Sequence, residues 1–224
     1  MPAEYPPLLS REPVVTATEM RAAEAAAIAA GTSGFELMCR AGEAAAAGIA
    51  AFYGPAPVLV LVGPGNNGGD GYVVANALRQ RRWPVEVAVL TPPATETAQQ
   101  AATLWNAPVI DIADAEPRFV LVDALFGTGL TRGLEEPLLS QFHALARASS
   151  VVVSLDLPSG AATDDGTALS PLAHADLTVT FGAMKPSHLL HPTAAGCGRV
   201  VVAGIGLGGV ETKLFRNGAP PVLS

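Results

Sequence analysis

From Pro57 onward the apolar residues come in short unbroken runs: VLVLV at 58–62, VEVAVL at 85–90, PVI at 108–110, FVLVDA at 119–124, VVVSLD at 151–156, LTVTF at 177–181 and RVVVAGI at 199–205. A strand covered on one face alternates apolar and polar positions, so continuous runs predict strands covered on both faces. Between several runs the spacing turns helical, around 70–82, 95–106 and 135–148. Strand and helix in alternation predict right-handed βαβ crossovers, an α/β fold and an open, mostly parallel sheet. Its binding crevice then lies beyond the carboxyl ends of the strands.

Two helices are predicted ahead of Pro57. Thr16 or Thr18 caps the first, which runs to Ala29 with Glu19 near its positive end and Gly31 as its stop. The second covers about 33–52, with Phe35, Leu37, Met38, Ala45, Ile49 and Phe52 roughly on one face, so both helices are expected to cover the sheet. Their Ala-rich stretches at 22–30 and 41–51 are short, weakly hydrophobic and set among Arg21, Glu24, Arg40 and Glu43. No transmembrane helix, and no membrane partner, is expected.

A length of 224 residues favours one core over two. The expected organisation is a single domain over 1–224, with a Pro-rich leader at 1–13 and a tail or linker from about 208 to 224, where the pattern stops. Half the residues are apolar and 15% are charged, which supplies a large core and excludes charge-driven disorder. Thirteen Lys and Arg against 20 Asp and Glu leave a net charge of −7. With the cations dispersed, apart from Arg79, Arg81 and Arg82, nucleic acid is not an expected partner. Local phosphate binding stays open, because backbone N–H groups at a glycine loop or helix N-terminus need no net positive charge. Cys39 and Cys197 form no short metal-ligand cluster. The start, MPAEYPPLLSREPVV, lacks the basic region and apolar run of a secretory signal, so a cytoplasmic location is expected.

Candidate chemistry sits where the strands end. After the first comes Gly63-Pro64-Gly65-Asn66-Asn67-Gly68-Gly69-Asp70-Gly71, in which Gly63, Gly65 and Gly68 satisfy G-x-G-x-x-G, a weak dinucleotide signal by itself. A tight glycine turn is the plain alternative, but paired Asn and an Asp exceed what a turn requires. The acid that a nicotinamide dehydrogenase carries at the end of its second strand is missing, since that strand ends Val89-Leu90-Thr91.

Asp123 precedes Gly127-Thr128-Gly129-Leu130-Thr131-Arg132-Gly133, a second candidate anion cradle in which Arg132 is either a bidentate phosphate donor or a solvated surface charge. Asp156, ahead of Leu157-Pro158-Ser159-Gly160, is expected to be partly desolvated, with a raised pKa suited to acid–base work, unless it only caps a turn. Lys185, one of two lysines, is a phosphate contact, a proton donor or a tethered surface cation. Parallel strands would bring Asn66, Asn67, Asp70, Asp123, Asp156 and Ser159 to one edge, an oxygen-rich set suited to a hard cation. His143, His174, His188 and His191 show no metal-site spacing and read as structural or exposed. No nucleophile elbow frames Ser159.

TATEMRAAEAAA, GPGNNGGDGYVVANAL, VLVDALFGTGLTRG, SLDLPSG, ADLTVTFGAMKP and GRVVVAGIGL, in this order, together resemble the YjeF N-terminal domain, the NAD(P)H-hydrate epimerase family, over nearly the whole chain. The resemblance implies a three-layer αβα Rossmann-like fold with helices on both faces, often dimeric. It implies an isomerase that interconverts the R and S epimers of hydrated NADH and NADPH (NADHX and NADPHX), so that an ATP- or ADP-dependent dehydratase, fused in some relatives, can repair both. Substrate contacts would fall on Asn66, Asn67, Gly68, Gly69 and Asp70, on Gly127 to Gly133 and on Asp156. Potassium (K+) ligands would fall on Asn67, Asp123 and Ser159. Asp156 is then expected as the acid–base group, with Lys185 as a second proton carrier. Two alternatives stand beside the enzyme. One is a non-catalytic binding module, because similar domains occur in a decapping-enhancer and an apolipoprotein-binding protein; the presence of Asn67, Asp123, Asp156 and Ser159 favours the enzyme over it. The other is an ordinary NAD-dependent oxidoreductase, which Thr91 disfavours.

Overall fold

The computed structural model describes residues 13–207; the expected tail, and the leader short of Pro13, lie outside the described residues. Seven strands form one sheet: β1 Val58–Val62, β2 Val85–Val89, β3 Ile110–Asp111, β4 Val120–Ala124, β5 Val151–Leu155, β6 Leu177–Phe181 and β7 Arg199–Ala203. They lie in the order β3-β2-β1-β4-β5-β6-β7, every neighbouring pair parallel. β1, β4, β5 and β6 are buried at every position; β1 is accordingly apolar throughout, while β6 alternates Leu177, Val179 and Phe181 with Thr178 and Thr180, whose hydroxyls donate to the Cys197 carbonyl (2.7 Å) and to Asp156 Oδ1 (3.1 Å). The chain steps outward from β1 to β2 and β3, then returns to build β4 on the other flank. The order reverses between β1 and β4, and a crevice opens beyond their carboxyl ends.

Among the described residues five α-helices accompany the sheet: α1 Ala17–Ala29, α2 Gly34–Phe52, α3 Asn66–Gln80, α4 Glu96–Ala102 and α5 Leu138–Ala148. One core layer joins Val58, Val60, Val62, Val122 and Val153 to Ile49, Val74 and Leu78 of α2 and α3; the other joins Leu59, Leu61, Leu121 and Val152 to Phe142 and Leu145 of α5. Each fully buried Leu or Val contributes roughly 1.5–3 kcal/mol of transfer free energy. The result is the expected αβα sandwich. Among the described residues no helix is long and apolar enough to cross a membrane.

Three elements depart from expectation. β3 keeps only two residues. α3 starts at Asn66 rather than near 70, so most of the glycine segment is the first turns of a helix. Glycine weakens a helix by about 1 kcal/mol relative to alanine, but here packing leaves no room for a Cβ. One on Gly71 would stand 2.6 Å from the Ala124 Cβ, and one on Gly69 would stand 2.5 Å from the Met38 Sδ. α1 is capped by Thr16, one of the two expected caps, in a capping box with Glu19, but buries only Ala17 and Met20 and does not cover the sheet as α2 does. Instead it lies over the mouth of the crevice. Its start is tied down by the Val15 N–H donating to the Met184 carbonyl (2.9 Å) and the Ala17 N–H donating to Asp164 Oδ1 (2.7 Å).

Candidate active site

The crevice is a cavity of about 410 Å³, bounded by the segments that follow four neighbouring strands and by α1, a size and position typical of small-molecule sites. Pro64, Gly65, Asn66, Asn67 and Asp70 come from the β1–α3 turn, Leu125 to Leu130 follow β4, Asp156 follows β5, and Phe181 and Lys185 close β6. Met20, Arg21 and Glu24 of α1 form the roof, and Thr95 adds to the wall beside Asn66. The N-terminus of α3 opens into this space with Gly65 at its cap and no side chain bound there, so its first N–H groups can receive an anion. Asn66 is held by Thr95 and Thr97, whose hydroxyls donate to its Oδ1 at 2.6 and 3.0 Å.

On the crevice floor Asp156 meets Lys185. Lys185 is 1% exposed, not a tethered surface cation. Its three N–H groups donate to Asp156 Oδ1 (2.6 Å), Thr180 Oγ1 (2.8 Å) and the Phe181 carbonyl (3.0 Å). The other Asp156 oxygen, Oδ2, accepts the Thr128 N–H at 3.0 Å and the Thr128 hydroxyl. This overturns the expected raised pKa. Burial does push Asp156 upward, but the Lys185 ammonium and the donors on both oxygens outweigh it and hold the carboxyl at about 2. Asp156 also sits in left-handed backbone, φ 64°, where a non-glycine residue is uncommon.

The neighbouring carboxyls move the other way. Burial, then the charges of Asp156 and Glu24, hold Asp70 well above the usual carboxylate range. Burial and Asp156 also raise Glu24. Beneath the floor, Asp123 is fully buried. Its Oδ1 accepts from the Ser159 hydroxyl (2.6 Å) and the Leu125 N–H (3.2 Å), and its Oδ2 accepts from the Ser159 N–H (2.8 Å). Burial nonetheless pushes it up to about 6.

Asn67 has both side-chain polar atoms buried with no hydrogen-bond partner, a rare condition that costs free energy unless a ligand relieves it. A Cβ on Gly127 would stand 3.0 Å from both Asn67 Oδ1 and Asp156 Oδ2, so this glycine keeps open the space between them. An unpaired amide oxygen, a serine hydroxyl and a buried carboxylate form a donor set that fits a hard cation.

The structure thus brings Asn66, Asn67, Asp70, Gly127, Thr128, Gly129, Leu130, Asp156 and Lys185 into one wall. Gly68 lies behind that wall, where a Cβ would collide with the Gly63 carbonyl, and Gly133 packs on the Leu169 carbonyl. Thr131 and Arg132 are exposed outside it. Sequence reasoning missed the α1 roof, Thr95, Thr180 and His188. Only the run ATEMRAAEA hinted at the roof, through three charged residues on an otherwise Ala-rich helix.

A family profile described as YjeF-related protein N-terminus matches residues 34–187. The chain is 42% identical over 214 residues to an NAD(P)H-hydrate epimerase of Rhodobacter capsulatus, with 87% of this chain and 99% of the relative covered. It is 40% identical over 217 residues to one of Cereibacter sphaeroides, at 84% and 99% coverage. A bifunctional NAD(P)H-hydrate repair enzyme of Coxiella burnetii is 35% identical over 199 residues, and there the match takes up only 40% of the relative. The crystal structure of a yeast protein superposes with a TM-score of 0.70 at 23% identity, covering 79% of this chain and 83% of that one, a likeness of fold. The chain belongs to the family of YjeF-related protein N-terminal domains.

Proposed function

We propose that this chain is an NAD(P)H-hydrate epimerase, an isomerase interconverting the R and S forms of hydrated NADH and NADPH. The observation that carries the reading is the buried Asp156–Lys185 pair at the carboxyl edge of the sheet. It faces a crevice that also holds the open N-terminus of α3. The stereocentre to be inverted bears a hydroxyl next to a ring nitrogen. When that hydroxyl takes a proton and leaves as water, the carbon becomes planar and shares a positive charge with the nitrogen. Water then re-adds to either face and returns the proton. No electron is transferred, so no redox cofactor is required.

The charges in the crevice suit this course. Asp156, kept ionised, offsets the developing cation from a fixed position. Asp70, pushed towards the protonated form by burial and by the Asp156 and Glu24 charges, is the proton source and acceptor. Lys185 has every N–H engaged, and its part is to hold the Asp156 charge in place. The α3 N-terminus and the Gly127–Gly129 backbone receive the dinucleotide phosphates, with Arg21 at the mouth. Asn67, Asp123 and Ser159 would hold potassium, which would tie the β1, β4 and β5 loops together and offset their charge. The working partner is a dehydratase that uses ATP or ADP, separate or fused as in the bifunctional relatives. We further propose a cytoplasmic homodimer, whose dimeric state sedimentation of the purified protein tests.

Purified R epimer mixed with Asp156→Asn protein should form S epimer at least about a hundredfold more slowly than with the unaltered chain, as expected on losing one fixed stabilising charge. Chiral separation of the two epimers follows the reaction, and undiminished turnover would sink the assignment.

A further inference from the structure

His188 is buried three residues after Lys185 and lies outside the crevice wall. Its ring nevertheless spans the backbone of both halves of the ion pair. Nδ1 accepts the Lys185 N–H at 2.9 Å and Nε2 donates to the Asp156 carbonyl at 2.8 Å. An acceptor at Nδ1 and a donor at Nε2 describe a neutral imidazole with its proton on Nε2. The charged groups facing it are the Lys185 ammonium and the Asp156 carboxylate. A second proton would break the bond to the Lys185 amide and set an imidazolium beside an ammonium.

What this ring holds is unusual backbone. At φ 64°, Asp156 holds a left-handed conformation that a non-glycine side chain adopts only at a conformational cost. On the amide side it is fixed by its N–H donating to the Val179 carbonyl at 2.8 Å. On the carbonyl side the fixed partner is His188.

We propose that His188 is a positioning residue of the epimerase: its neutral ring clamps the Asp156 backbone to that of Lys185, so that carboxylate and ammonium meet in one place on the crevice floor. This rests on the epimerase reading of the site.

The test uses two replacements. His188→Gln carries an amide whose oxygen and nitrogen can restore one acceptor and one donor, whereas His188→Leu fills the volume and supplies neither. The Leu variant should lose kcat about tenfold or more with KM nearly unchanged, and the Gln variant should recover most of it, since a small misplacement of a site group costs rate rather than binding. Asp-labelled protein read by carbon NMR should show the Asp156 carboxyl titrating higher in the Leu variant and not in the Gln variant. A folded Leu variant with unchanged kcat and unchanged Asp156 titration would overturn the proposal. If the Leu variant does not fold, ring-nitrogen NMR of the unaltered protein decides. The neutral form with its proton on Nε2 throughout pH 5 to 8 supports the clamp, and the other tautomer or an ordinary titration in that range refutes it. Should the unaltered chain fail to epimerise hydrated NADH, the epimerase reading falls, while the Asp156 titration still decides for or against His188.

Discussion

Three carboxyl groups and one ammonium share the crevice, and their surroundings divide the work among them. Asp156 has donors on both oxygens and is ionised; burial and the Asp156 charge push Asp70 and Glu24 towards the protonated form. His188, behind them, is pushed by burial and the Lys185 charge down to about 4 from an ordinary 6.5. The sign follows from which state binds the proton. Between these two values the unfolded chain takes up a proton that the folded chain refuses, so the stability linked to a neutral His188 is present above 6.5 and is lost as pH falls towards 4. Asp123, raised to about 6, works in the opposite sense over a similar range, so the unaltered protein alone hides the effect. The comparison with His188→Gln exposes it: the stability advantage of the unaltered protein should shrink by roughly 3 kcal/mol from pH 6.5 to pH 4. Urea unfolding at both values measures this, and a constant difference would mean that the ring is not held neutral.

Helices α2 and α3 cross closely enough that glycine is required on both. A Cβ on Gly42 would stand 2.6 Å from Val73 Cγ1 and 2.9 Å from the Asp70 carbonyl oxygen, so the same contact that seats α3 also sets the height of Asp70. Alanine at position 42 would gain helix propensity of about 1 kcal/mol but overpack the crossing by roughly 1–3 kcal/mol. The expected outcome for Gly42→Ala is a lower melting temperature together with slower epimerisation. Gly54→Ala is the control, since a Cβ there meets nothing within 4 Å. If the two variants melt alike, the crossing is looser than described. These contacts also mark what the sequence could and could not reveal about the elements. Val58–Val62 is legible to the residue because a strand buried on both faces can be continuously apolar, and Leu177–Phe181 because its two threonines are β-branched and suit a strand. The start of α3 is not, because Asn-Asn-Gly-Gly reads locally as a turn, and only Met38, Ala124 and the Gly63 carbonyl, all outside that segment, demand a helix without side chains. The Asp156–Lys185 pair was hidden for the same reason. Twenty-nine residues separate its members, and only the parallel pairing of β5 with β6 makes them neighbours, which turns the expected rise in the Asp156 pKa into a fall.

The whole molecule carries −7 and is read as binding a dianionic dinucleotide, so long-range charge opposes the encounter while local N–H groups favour the bound state. Raising ionic strength with choline chloride from about 20 to 200 mM should therefore lower KM, because the repulsion is screened beyond a Debye length of about 10 Å. A rise in KM would show instead that cations at the mouth, such as Arg21, dominate. Potassium chloride at matched ionic strength should raise turnover beyond choline chloride, and superimposable curves would remove potassium from the reading. Topology lets so few charges suffice: Asn67, Asp123, Asp156 and Lys185 follow or end β1, β4, β5 and β6, which are adjacent in the sheet, so four distant stretches of chain are delivered to one edge.

The left-handed backbone at Asp156 has a consequence for how such a protein changes over generations. Asparagine and glycine are the residues that adopt this conformation most readily, and in the genetic code both lie one base from aspartate. Loss of the charge can therefore occur in a single step without disturbing the turn. With asparagine, an amide oxygen remains for Lys185 to donate to. A fold of this kind stands one substitution from a domain that still closes around a nucleotide but no longer turns it over.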